Sequence, residues 1–136
     1  MRLVGRIQVN GNTEVLLSRT VYNELGQPYE SIHHSRNNGT NWLYKSNTKN
    51  TVQGLLDEIK YVYSNNAVVF SQKLDYNKSA GNSNSPRIDG MITSNKWQHY
   101  GSEPERAYTF TYNTPKRLTA STFRQKSGST WTSNNF

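Results

Sequence analysis

The chain has 136 residues, which fits one ordinary domain or a short stretch of a repeat array. Hydrophobic residues make up 32%, and the 9 glycines do not lift the apolar share to the roughly 45–50% of a typical globular domain, so a large aliphatic core is excluded. Sixteen Lys and Arg against nine acidic residues give a net charge of +7, but the cations are scattered and read as a solvated basic surface; nucleic-acid binding would rest on charge alone.

Two-residue alternation dominates from the start. Leu3, Gly5, Ile7 and Val9 alternate with Val4, Arg6 and Gln8, and Asn10-Gly11 supplies the positive-φ pair of a tight hairpin turn. Val15 to Tyr22 reads as the return strand, broken by Asn23-Glu24-Leu25-Gly26. Pro28 to His34 is the next strand, ended by Arg36-Asn37-Asn38-Gly39, and Thr40 to Lys45 is a short aromatic strand. Leu55, Leu56, Ile59 and Tyr63 stand at helical spacing, yet Ile59, Tyr61 and Tyr63 alternate with Lys60 and Val62, which favours a strand over Glu58 to Ser64. Asn65-Asn66 marks a turn before the strand Ala67 to Tyr76. The polar stretch 77–90, rich in Gly, Ser and Asn, predicts a flexible loop. Strands resume at Met91 to His99, Arg106 to Tyr112, Arg117 to Gln125 and Ser129 to Thr132. About ten strands and no strong helix predict an all-β chain of antiparallel hairpins, a single segment over 1–136.

The turns repeat. Tyr22-Asn23-Glu24-Leu25-Gly26-Gln27-Pro28 and Tyr112-Asn113-Thr114-Pro115-Lys116-Arg117-Leu118 share one plan, and Asn50-Thr51-Val52-Gln53-Gly54-Leu55-Leu56 is a weaker copy whose Gly54 stands 28 residues after Gly26. In such a unit Tyr ends a strand, packing its ring and keeping its hydroxyl wet. Asn bonds its own backbone to start the turn, and Gly takes the left-handed position. Tyr22, Asn23, Gly26, Gly54, Tyr112 and Asn113 are therefore the candidate repeat-turn residues. One hairpin alone is marginal and needs a neighbour to cover it.

This pattern resembles the YD repeat of the bacterial RHS family, written as Tyr-Asp, two residues, Gly, one residue, Leu. The likeness extends along the chain through Val52-Gln53-Gly54-Leu55-Leu56, Lys73-Leu74-Asp75-Tyr76-Asn77 and Tyr108-Thr109-Phe110-Thr111-Tyr112-Asn113. Asn replaces Asp at 23, 77 and 113, Lys116 replaces Gly, and Pro28 replaces Leu. The Asp-Pro-Gly-Leu core segment of the family does not occur in these residues, so its autoproteolytic aspartates and C-terminal toxin are not carried over. The resemblance implies a YD-repeat-like β-spiral or open sheet, part of a shell enclosing or presenting a secreted toxin or effector. The implied partners are the remainder of the RHS chain or its cargo polypeptide. The implied location is secreted or cell-surface, although Met1 to Asn12 carries no apolar signal core.

Chemistry-bearing patterns are sparse. The absence of cysteine removes disulfides, thiolate catalysis and cysteine-ligated zinc, and no stretch approaches about 18 apolar residues, so no membrane span is expected. His33 and His34 point to opposite faces of a strand and cannot share a metal. Glu103 and Glu105 flank Pro104 in a loop, a poor setting for paired carboxylates. No catalytic residue, metal site or cofactor is predicted. Trp42, Trp97 and Tyr100 are candidate ligand-stacking residues, and they support a second reading as a module for cell-surface glycan. Cross-strand packing is the favoured account of the aromatic residues as a set, these three included.

Overall fold

The computed structural model describes residues 2–10, 13–36, 40–77, 89–99 and 102–133. Its ten strands are β1 Arg2–Asn10, β2 Thr13–Tyr22, β3 Pro28–Arg36, β4 Asn41–Asn50, β5 Leu56–Tyr63, β6 Val68–Asp75, β7 Ser94–His99, β8 Arg106–Tyr112, β9 Leu118–Ser127 and β10 Thr130–Ser133. The described residues form no helix, so the protein is all-β. The chain divides into two compact units, Met1–Ser71 and Gln72–Phe136, and the division falls within β6. In each unit, strands pair antiparallel with their neighbours in chain order and the sheet stays open rather than closing into a barrel. The all-β class and the antiparallel hairpins are those that the alternation predicts, and the sheet is open.

Some boundaries differ from those expected. β4 continues to Asn50 instead of stopping at Lys45, because its polar residues from Ser46 onward pair with β5 and share its ladder. β5 starts at Leu56, which removes the helical alternative there. The strand expected from Met91 begins at Ser94. Before it, Met91 bonds the Asp89 side chain at 3.3 Å, and Thr93 bonds the Asp75 carbonyl through both N–H (2.7 Å) and hydroxyl (2.9 Å). Of the expected loop 77–90, positions 78–88 lie outside the described residues, as do Gly11 and 37–39 of the two predicted turns.

The first unit has a largely aliphatic interior, with Ser35 and Ser46 as its buried polar residues. Leu16, Val21, Ile32 and Val62 are buried. Arg19, Ile32, Lys45 and Val62 form one cross-strand row. Ile32, at 3% exposure, thus lies between two long cations whose carbon stems can supply apolar cover. Lys45 meets Glu30 at 3.4 Å.

The second unit repeats that arrangement with a polar interior. Ala107 is fully buried and its cross-strand neighbours are again two cations, Lys96 and Arg124. In the same unit Asp75, Thr93, Ser94 and Thr109 are buried polar groups. Asp75 Oδ2 accepts from Ser94 Oγ at 2.7 Å and pairs with Lys96 Nζ at 2.6 Å. Buried polar groups are tolerated when they are bonded in this way. Arg19 and Arg124 resemble each other further, since each has its Nε buried without a hydrogen-bond partner.

Candidate functional site

Four five-residue turns share one backbone geometry. In each, the first residue donates its N–H to the carbonyl of the fifth: Asn23 to Gln27 (2.9 Å), Thr51 to Leu55 (2.7 Å), Tyr63 to Ala67 (2.9 Å) and Asn113 to Arg117 (3.0 Å). The fourth residue returns its N–H to the carbonyl of the first at 2.8–3.0 Å and is left-handed: Gly26 (φ 75°), Gly54 (83°), Asn66 (64°) and Lys116 (65°). This is a three-residue hairpin loop that closes on a left-handed bulge residue. Three of the turns also follow a register shift, which pairs Tyr22 with Pro28, Asn50 with Leu56 and Tyr112 with Leu118.

The bulge takes the fifth residue's N–H out of the ladder, and a side-chain oxygen accepts it every time. Asn23 Oδ1 takes Gln27 N–H (2.9 Å), Thr51 Oγ1 takes Leu55 N–H (3.1 Å), and Asn113 Oδ1 takes Arg117 N–H (2.9 Å). In the fourth turn the acceptor moves to Asn65, whose Oδ1 takes Ala67 N–H at 3.0 Å. An Asn or Thr oxygen is thus the shared chemical requirement, and Gly is not, because Lys116 occupies the left-handed position in the last turn. A non-glycine residue there costs roughly 1–2 kcal/mol.

Repeat-turn residues come together within the first unit. Asn23 Nδ2 donates to Gln27 Oε1 at 3.0 Å, and Gln27 Nε2 would lie 3.2 Å from a Cβ added at Gly54. Tyr112 departs from the expectation of a wet hydroxyl: it donates to the Ile92 carbonyl at 2.8 Å, because the residues before β7 bring that carbonyl to it.

The aromatic candidates fall in different settings. In the second unit Trp97 stacks on Tyr108, with centroids 5.5 Å apart and planes 25° apart, and Tyr108 meets Phe123 edge-on, also at 5.5 Å. These rings use their faces on one another. Tyr100 lies outside the described residues. In the first unit Trp42 lines an open cleft of about 320 Å³ with His34, Asn41 and Leu43. The Lys45 ammonium stands 5.0 Å from the Trp42 ring centroid.

His34 holds φ 50° inside β3, and Ser35 Oγ donates to the Asn41 carbonyl at 2.8 Å, tying together the strands that carry the cleft. The companions of Trp42 were not legible, because the left-handed twist at His34 has no mark in the sequence. His33 stacks on Tyr44 at 4.8 Å, and burial, followed by the charge of His34, holds its imidazole below the ordinary histidine value.

Several acidic residues are engaged. Glu103 pairs with Arg106 and Glu105 with Lys126, both at 3.2 Å. Burial pushes Glu58 up, but hydrogen bonds and charge from Lys60 (3.0 Å) and Lys49 (3.2 Å) outweigh it and hold the carboxyl below its ordinary value. Among the described residues no group of three His, Cys, Asp or Glu is placed to hold a metal. No protein-family model, curated protein or solved structure matches the chain.

Proposed function

We propose that the chain is a non-catalytic β-repeat segment of an RHS-type protein, a piece of wall in a secreted or surface-linked shell that encloses or presents a toxin or effector polypeptide. The observation that carries this reading is the identity of the Tyr22-Asn23 and Tyr112-Asn113 turns, in hydrogen bonding, left-handed position and preceding register shift. Repeats whose units each bury little alone gain stability by stacking on neighbours.

Two further features agree with a wall segment. Turn residues Leu25 and Val52 are exposed apolar groups that adjoining chain would cover. The outer edge of β1 has no strand partner among the described residues, and an uncovered edge is a site for continued pairing. The test is the reading frame around these residues. The expectation is further Tyr-Asx turns at about the same spacing and a downstream Asp-Pro-Gly-Leu core. Flanking sequence with neither overturns the assignment.

A further inference from the structure

We propose that the outer edge of β1 takes up an extended peptide strand that carries carboxylates. This gives a chemistry to the strand that the wall reading sets on that edge, and it rests on that reading only for where the strand comes from. β1 stands last in the strand order, with β2 on one side and no strand on the other among the described residues. It is nine residues long and holds no Pro or Lys, the residues that most often blunt an exposed edge. The register shift opposite Arg6 and Ile7 adds its extra residue, Leu17, to β2 and leaves β1 regular. Gly5 to Val9 are exposed, Ile7 at 53% and Val9 at 63%. In the second unit the outer strand β10 has only four residues, a short edge of the kind that resists pairing.

Charge selects the occupant. Alternation places Arg6 and Gln8 on one face of β1 and Gly5, Ile7 and Val9 on the other. Arg19 pairs with Gly5, and its Cγ lies 4.0 Å from where a Cβ on Gly5 would stand, so no side chain of β1 separates the Arg19 stem from the edge. Each face of the edge therefore carries an arginine. Among the described residues neither meets a carboxylate, whereas Lys45, Lys49, Lys60, Lys96, Arg106 and Lys126 each do. β1 supplies no carboxylate and the chain carries +7, so a second copy would bring like charge to like. A strand with Glu or Asp facing Arg6 and Arg19, and apolar residues beside Ile7 and Val9, complements both the charge and the alternation. Main-chain hydrogen bonds would hold such a strand and its side chains would select it.

The whole 136-residue chain should be titrated with three end-blocked peptides of nine residues, by calorimetry and amide hydrogen exchange. In the first, valine alternates with glutamate and threonine; in the second, lysine replaces glutamate; the third keeps the glutamates but has proline at alternate positions and cannot add a strand. Saturable binding of the first peptide alone is expected, with new protection of β1 amides and weaker binding at high salt. Arg6→Glu, at an exposed position, should lower its affinity about fivefold or more and let the lysine peptide bind. Arg19→Met keeps an unbranched apolar stem and should lower affinity about threefold; if it unfolds the chain, Arg6→Glu decides the question. The proposal fails if the glutamate peptide does not bind at millimolar concentration, if either control peptide binds as well, or if Arg6→Glu changes nothing. It also fails if β1 becomes protected on concentrating the chain alone, which would make a second copy the occupant. The wall assignment is judged from flanking sequence, so either reading can fail without the other.

Discussion

The two units use the same hairpin chemistry around interiors of different balance, mostly aliphatic in the first and mostly polar in the second. In the first, Ile32 lies between Arg19 and Lys45 and joins Leu16, Val21 and Val62 as buried aliphatic groups. In the second, Ala107 lies between Lys96 and Arg124, and the buried company is Asp75, Thr93, Ser94 and Thr109. Turn geometry therefore does not depend on what the sheet buries. It is set locally, by a side-chain oxygen that accepts the amide a bulge leaves over. The interior is chosen separately, mainly by aliphatic volume in the first unit, where Ser35 and Ser46 are the buried polar groups, and mainly by hydrogen-bond satisfaction in the second.

Removing the central polar group should have the largest effect. Asp75→Ala strands the Lys96 ammonium and the Ser94 hydroxyl, and is expected to cost about 3 kcal/mol or more in urea unfolding, with amide-exchange protection lost first in the second unit. A loss below about 1 kcal/mol would mean that the polar interior is not what holds that unit. In the first unit, Ile32→Ala should cost about 2–4 kcal/mol through lost transfer energy and the cavity left behind, read by the same exchange measurement.

The turns test the local half of the contrast. Asn23→Ala is expected to cost about 1–2 kcal/mol, because Asn23 Oδ1 takes the N–H groups of both Leu25 and Gln27; Asn113→Ala should cost about 1 kcal/mol. Equal losses at the two sites would show that the extra bonds of Asn23 contribute nothing. Lys116→Gly should stabilise by about 0.5 kcal/mol, the relief of a left-handed lysine offset by glycine's greater freedom when unfolded. A decrease in midpoint would show that the lysine side chain contributes more than its backbone costs.

The smallest expected effect is on pH. Folding lowers the His33 pKa, so the unfolded chain takes up its proton first as the pH falls. His33's contribution is complete above about pH 6.5 and declines as the pH drops through that value toward the folded pKa. His33→Phe keeps a ring against Tyr44 and should remove this part of the pH dependence.

Much of the fold was legible because strand alternation and turn chemistry are short-range. Ile59, Tyr61 and Tyr63 alternate in sequence and lie in β5, and the Asn23 and Asn113 turns follow from an oxygen acting within four residues of itself. The turn at Tyr63 was half visible: Asn65-Asn66 marked its place, but the shift of the acceptor from the first residue to the third did not show. The sites were less legible. Trp42 and Trp97 are the same residue on similar strands, yet one lines a cleft and the other is covered by Tyr108.

By itself, the sequence determined the all-β class, the antiparallel hairpins and the residues that close them, since these depend on neighbours a few positions apart. Only the tertiary structure decided that Asp75 would meet Ser94 and Lys96, that two cations would flank each buried Ile32 or Ala107, and that His34 would turn left-handed beside Trp42. Those outcomes depend on the register between strands, where a one-residue slip exchanges every side chain between faces.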